Sequence, residues 1–240
     1  MEELSIKIAH LYPKLLNLYG DIGNIITLKK RCEWRNINVE FDEINVCDKL
    51  TVHDLYFIGG GQDKQQEEVA LEMFDNREFF IKERDNNAVF LGICGGFQLF
   101  GKYYKPHDKE QLNGAGILDA YTIAGKKRFI GNVTVETDFA GSLVGFENHS
   151  GLTYLQGDTK PLGKVIVGNG NNGKDGFEGA RFKNVFGTYL HGSVLPKNPK
   201  FADLLISLAL EKRYGRKIEL QPLDDRLEIN THEVLVGKSY

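Results

Sequence analysis

An α/β fold, with an open and mostly parallel sheet, helices on both faces and additional strands in the second half, is predicted by the order of patterns along this 240-residue chain. Three observations carry that prediction. In the first hundred residues short apolar runs alternate with longer amphipathic segments, as strands do when helical crossovers join them. Two of those runs end in glycine clusters, Gly59-Gly60-Gly61 and Gly95-Gly96, where a strand turns sharply into a helix. The second half instead carries several short strand-like runs separated by turn residues.

The elements follow in order. Leu4 to Leu11 reads as the first strand. Asp21 then opens a helix with apolar positions at Ile22, Ile25, Ile26, Leu28 and Cys32, an acidic residue suiting the positive end of the helix dipole. Asn38 to Ile44 is a second strand and Asp54 to Ile58 a third, ending in the glycine triplet. One long helix is expected over Lys64 to Arg84. Ala88 to Ile93 is a further short strand, followed by Cys94 and a helix through about Tyr103. Strands are expected over Ile130 to Glu136, Leu143 to Asn148, Lys164 to Val167, Gly176 to Phe182 and Val185 to Leu190. The run Gly168-Asn169-Gly170-Asn171-Asn172-Gly173 reads as a hairpin loop; it lacks the Lys-Ser/Thr pair of a phosphate loop. After Pro199, the residues Phe201, Leu204, Leu205 and Leu208 mark an amphipathic helix. Residues 1–215 form the main domain in this reading, and 216–240 a charged appendage with a weak helical pattern around Leu223 to Leu235, suited to packing on a partner.

Composition narrows the function classes. Hydrophobic residues make up 41% and charged residues 26%, which argues for a globular chain. The net charge of −3, with no basic block, argues against nucleic acid. The start, MEELSIKIAHLYP, is unlike a signal peptide, and no apolar run approaches the roughly 20 residues that span a bilayer. Cys32, Cys47 and Cys94 are few and unpatterned, so a reduced cytoplasmic protein without a metal site is expected.

Chemistry concentrates around Cys94. Gly92-Ile93-Cys94-Gly95-Gly96 has the form of a nucleophile elbow with cysteine as the nucleophile. The helix that follows turns its N-terminus toward the sulfur and favours thiolate. Among six histidines, His191 ends an apolar strand and so falls on the same sheet edge as Cys94; His149, in GFENHSG, is its rival for the role of base. The backbone N–H groups of the Gly59-Gly60-Gly61 turn, with that of Gly95, are candidate oxyanion donors.

Together these stretches resemble the class I, triad-type glutamine amidotransferases. The resemblance rests on Gly92 to Gln98, on Gly59-Gly60-Gly61-Gln62-Asp63 and on Tyr189-Leu190-His191-Gly192. NLYGDIGN (Asn17 to Asn24) and GFENHSG (Gly145 to Gly151) are similar to the branch related to cobyric acid synthase, and within it to the glutaminase subunits of lipid II isoglutaminyl synthases. The resemblance implies a flavodoxin-like sheet and a glutaminase in which Cys94 attacks the glutamine amide and His191 moves the protons. It implies that the N–H groups of Gly60 or Gly61 and of Gly95 hold the oxyanion, that Gln98 helps hold the substrate and that Arg128 clamps its α-carboxylate. The freed ammonia would pass to a MurT-like, Mur-ligase-type subunit that carries ATP and Mg²⁺ and amidates D-glutamate of lipid II at the inner membrane face. This chain has no G-x-x-x-x-G-K-S/T loop, which agrees with ATP lying on the partner.

One departure stands out. The family usually places a glutamate two residues after the histidine, where this chain has Ser193. Either the site is a Cys-His dyad, or another acid orients His191: one from the partner subunit, or one in this chain such as Glu147. The competing readings are an amidotransferase for a corrinoid precursor, a cysteine hydrolase of the same fold, and a non-enzymatic regulatory subunit.

Overall fold

The computed structural model describes residues 3–17, 20–61 and 63–237. Among the described residues, the strands form two six-stranded sheets. The first is built from β1 (Ser5–Leu11), β2 (Asn38–Ile44), β3 (Leu55–Ile58), β4 (Val89–Ile93), β11 (Ala180–Phe182) and β12 (Val185–Thr188), in the order β11-β12-β4-β3-β1-β2. All its neighbours run parallel except β11, which pairs antiparallel with β12. The inner strands β3 and β4 are buried at every position, because side chains alternate between two covered faces. Ile6, Ile8, Phe57 and Leu91 face a core shared with α1 (Ile22–Glu33) and α5 (Pro199–Tyr214). Ala9, Leu11, Tyr56 and Phe90 face the opposite core, shared with α2 (Asp63–Asp75), α3 (Arg77–Asp85) and α4 (Gly95–Phe100).

The second sheet is antiparallel for the most part. The 18-residue β7 (Ala120–Thr137) and 15-residue β8 (Gly141–Leu155) form a long hairpin. To it are added β5 (Tyr103–Lys105), β6 (Leu112–Asn113), β9 (Gly163–Val167) and β10 (Phe177–Glu178). Beyond β12 the chain leaves the first sheet, and His191 pairs with Phe146 of β8. The two sheets therefore meet at the carboxyl ends of β3, β4 and β12.

Several boundaries differ from expectation. The single helix over Lys64 to Arg84 is two helices, broken at Asn76, whose φ of −97° and ψ of 15° depart from helical values. The helix after Cys94 stops at Phe100, and Tyr103 already belongs to β5. The strand over Gly176 to Phe182 is divided at Gly179 between the two sheets: φ is +66° there, and a Cβ would sit 2.6 Å from the Gly187 carbonyl oxygen. The strands expected over 130–136 and 143–148 are the facing ends of two much longer ones. The Gly168–Gly173 run lies in the β9–β10 hairpin loop, as read.

The tail is fastened rather than loose. Arg31 of α1, 2% exposed, donates to both oxygens of Asp203 in α5 at 2.7 Å and to both of Asp225 at 2.6 and 2.9 Å. Helix α6 (Arg226–Gly237) follows with none of its residues buried. Among the described residues no helix is long and apolar enough to cross a membrane, and no group of three or more His, Cys, Asp or Glu could hold a metal ion.

Candidate active site

Cys94 stands between β4 and α4 with φ +50° and ψ −101°, a conformation an L-residue adopts at a cost of about 1–3 kcal/mol. Close packing holds it there. Its N–H donates to the Thr188 carbonyl at 2.8 Å. A Cβ on Gly92 would lie 2.6 Å from the Phe100 ring, and one on Gly96 would lie 2.7 Å from the Ile58 carbonyl oxygen. Both glycines are thus required by space, and together they let α4 fold back over the sheet edge. Cys94 is partly exposed, whereas Cys32 is buried and its thiol is pushed up to about 12 by desolvation. Burial separates the inert cysteine from the available one.

His191 faces Cys94 across Gly60. A Cβ on Gly60 would meet His191 Cε1 at 3.2 Å and Cys94 Cβ at 3.4 Å, so the two side chains border the same point above the glycine turn. The His191 ring is 2% exposed, and burial, then the nearby His149 and Lys197, lowers its pKa to about 4. At neutral pH the imidazole is uncharged, the form in which it can accept a proton. Its loop is tightly held: Lys197 Nζ donates to the His191 carbonyl at 3.2 Å, and Ser193 Oγ donates to the Gly20 carbonyl at 2.5 Å. Ser193 therefore anchors the histidine loop.

The glycine turn is engaged unequally. The Gly60 N–H donates to Asp21 Oδ2 at 2.7 Å and is not available to a substrate oxyanion. Among the described residues the N–H groups of Gly61 and Gly95 have no such acceptor. They lie close together, since a Cβ on Gly95 would be 3.2 Å from the Gly61 nitrogen. Of the three candidate oxyanion donors, the geometry leaves these two.

A cavity of about 810 Å³ opens over the pair, and Gly60, Gly61, Gln98 and Arg128 are in its wall. Arg128 arrives there through a bulge: between Ala124↔Gly151 and Phe129↔His149 the register slips, so residues 125–128 stand opposite Ser150 alone. Its Nη1 is steadied by the Asn148 carbonyl at 3.3 Å and Asn148 Oδ1 at 2.9 Å. Gln98 is held within the wall, accepting from Gln66 Nε2 and donating to the Tyr189 hydroxyl, both at 3.1 Å. That chain continues through Thr153 to Thr122 at 2.7 Å per step.

His149 also lines the cavity, but as a fixed wall. Its Nδ1–H donates to the Gly151 carbonyl at 2.8 Å, and its ring stacks on Tyr189 with centroids 3.6 Å apart. Burial lowers its pKa to about 4. Glu147, the acid weighed as a helper for His191, is turned to the hairpin loop, where it accepts from the N–H groups of Asn169 and Gly170 and from the Asn169 side chain. Asp21, Gln66 and Asn148 were not singled out as site residues from sequence. Asp21 and Asn148 carried a signal, their places in NLYGDIGN and GFENHSG, and Gln66 carried none; Leu18, Tyr19 and Gln62 of the two glycine-bearing motifs lie outside the described residues.

The profile of CobB/CobQ-like glutamine amidotransferase domains matches residues 7–199. The chain belongs to this family. Within it, the chain is similar to the GatD subunit of lipid II isoglutaminyl synthase (glutamine-hydrolyzing) from Staphylococcus aureus, 42% identical over all of this chain and 97% of that one. It is also 42% identical to the GatD subunit from Streptococcus pneumoniae, over 92% of this chain and 87% of that one. A probable cobyric acid synthase from Methanothermobacter thermautotrophicus is 35% identical, over 60% of this chain and only 31% of the synthase. A glutamine amidotransferase from Thermotoga maritima superposes with a TM-score of 0.55 at 19% identity, over 99% of this chain and 95% of that one, which shows a shared fold. In this amidotransferase the elbow, the glycine turn and the histidine loop therefore sit on the family's mostly parallel sheet, at the carboxyl ends of its strands.

Proposed function

We propose that the chain is the glutamine-hydrolysing subunit of a lipid II isoglutaminyl synthase. The observation that carries this is the match to the Staphylococcus aureus subunit from end to end, 97% of its length, where the cobyric acid synthase shares only a third of its own. Residues 1–215 are then the amidotransferase unit, and 216–240 an appendage fastened to it through Arg31.

His191 takes the Cys94 thiol proton as the sulfur attacks the side-chain carbonyl carbon of glutamine, and the oxyanion is held by the N–H groups of Gly61 and Gly95. His191 protonates the departing nitrogen as the C–N bond breaks, leaving ammonia and a glutamyl thioester. It then takes a proton from water, which attacks the thioester; glutamate leaves and Cys94 is restored. Arg128 pairs with the α-carboxylate, and Gln98 shapes the wall against which glutamine lies. The ammonia passes to a MurT-like subunit with bound ATP and Mg²⁺, which activates D-glutamate of lipid II as an acyl phosphate and forms D-isoglutamine. That acceptor would place the complex at the inner membrane face through the partner. We infer the partner as the source of the acid that orients His191; in support, Glu147, the candidate weighed in this chain, is engaged by Asn169 and Gly170.

A glutamine-mimicking diazo ketone should alkylate Cys94, and Cys94→Ala should abolish glutamine-dependent amidation by the complex. Turnover of an ester or peptide without labelling points instead to a cysteine hydrolase. Mass spectrometry of the amidated product distinguishes lipid II from a corrinoid acceptor. Amidation that survives Cys94→Ala ends the catalytic assignment.

A further inference from the structure

Asp21 is placed as if to cap α1, yet its side chain makes no cap hydrogen bond. Asn17 Oδ1 takes the Ile22 N–H at 3.0 Å instead, which frees Asp21 to reach the Gly60 N–H 39 residues away. The carboxylate is fully buried, its Oδ1 has no hydrogen-bond partner, and no cation pairs with it among the described residues. A buried anion held by one backbone N–H is costly, and such costs persist where a site depends on the group. The neighbourhood shows which site. A Cβ on Gly59 would lie 3.0 Å from Asp21 Oδ2, and one on Gly60 would lie 3.5 Å from it, beside His191 and Cys94. The same motif also holds the histidine loop: the Gly20 carbonyl accepts from Ser193, and Asn24 Oδ1 accepts from the Leu195 N–H at 2.9 Å.

We propose that Asp21 is a positioning residue of the glutaminase site: by holding the Gly60 N–H it sets the peptide planes of Gly59 to Gly61, so that the Gly61 N–H joins that of Gly95 in the oxyanion hole. The inference rests on the glutaminase reading and assigns a task to a residue that touches neither substrate nor sulfur. Glycines at 59, 60 and 61 leave this backbone free to rotate, and the Gly59–Gly60 peptide is held at both ends: its carbonyl accepts from the Gly96 N–H at 3.2 Å and its N–H donates to Asp21. An oxyanion hole works through donors that are oriented before the reaction begins.

The test is steady-state glutamine hydrolysis by the complex with its synthetase subunit, comparing wild type, Asp21→Ala, Asp21→Asn and Asp21→Glu. Asp21→Ala should lose about 10- to 100-fold in kcat with KM within about two-fold, a fraction of what deleting an oxyanion donor costs. Asp21→Asn keeps a carbonyl oxygen in place for the Gly60 N–H and should recover most of kcat. Asp21→Glu keeps the charge but moves it by a methylene, and should fall with Asp21→Ala; it also serves if the alanine variant does not fold. Alkylation of Cys94 by iodoacetamide should be unchanged in every folded variant. Wild-type kcat in Asp21→Ala or Asp21→Glu overturns the proposal. So does equal loss in Asp21→Asn and Asp21→Ala, which would mean that the charge itself matters. No turnover in the wild type overturns the glutaminase reading along with it.

Discussion

At the scale of single residues, charge states follow from burial. His191 is held neutral by desolvation, with pKa near 4 in the chain alone. A partner carboxylate brought to its ring would favour the imidazolium and raise that value. Nitrogen NMR of His191 should therefore show titration well below the ordinary 6.5 in the isolated chain and an upward shift in the complex. No shift on assembly would remove the partner as the source of the missing acid. Gly60 offers a second check. Gly60→Ala would place a methyl 3.2 Å from the His191 ring and 3.4 Å from Cys94 Cβ. The neighbours must give by a few tenths of an ångström, so activity should fall by about 10-fold, less than the roughly 100-fold of a 1 Å misplacement. The thermal midpoint should move little. Of these residues, Cys94 and His191 were legible in sequence because glycine punctuation and strand ends mark them. Asp21 was legible only as an acid at a helix start; its actual partner lies 39 residues away and leaves no local pattern.

Elements fail or succeed here on close approach. Gly187 of β12 faces Phe97 of α4 so closely that a Cβ would overlap the ring. Gly187→Ala should destabilise the fold by about 1–3 kcal/mol, the usual cost of overpacking, and should loosen the elbow as α4 is pushed away. Urea unfolding, with Cys94 alkylation rates alongside, measures both. Local pattern predicted β1 to β4, because buried parallel strands read as short apolar runs. It did not resolve the break at Asn76, where both flanking segments are helical by propensity, nor the split at Gly179, where one short strand-like run serves two sheets. The bulge that delivers Arg128 to the cavity is likewise invisible in sequence, because it is a mismatch between two strands and belongs to neither alone.

Across the whole molecule, one buried cation ties the tail to the body. Arg31→Ala would leave Asp203 with Arg35 alone and Asp225 without its two-pronged partner; both carboxylates are partly exposed, so the cost falls below the about 3–5 kcal/mol of a fully buried pair broken this way. The denaturant midpoint should fall accordingly. Stability should also depend on pH with a defined sign. Burial lowers His10, His149 and His191 from 6.5 to about 4, so the unfolded chain takes up protons that the folded chain refuses. Their contribution is complete above pH 6.5 and is lost as pH falls toward 4. Asp21 and Glu178, raised by burial to about 6 and about 7, act in the opposite sense and lose their contribution as pH rises through those values. Three groups outweigh two, so the urea midpoint at pH 5 should lie below that at pH 7, and the difference should shrink if one of the three histidines is replaced by an apolar residue.

The sequence by itself determined the α/β class, the cysteine elbow, the histidine at a strand end and the family. Each of these is written in short-range terms: apolar period, glycine spacing, residues within one motif. Only the tertiary structure decided which glycine N–H groups remain for an oxyanion, that Ser193 anchors a loop, that Glu147 is committed to the β9–β10 hairpin, and that Arg128 reaches the cavity. Those outcomes depend on which distant segments fill the same space. A hydrogen-bond donor such as the Gly60 N–H is available or taken according to a neighbour that the chain supplies from far away.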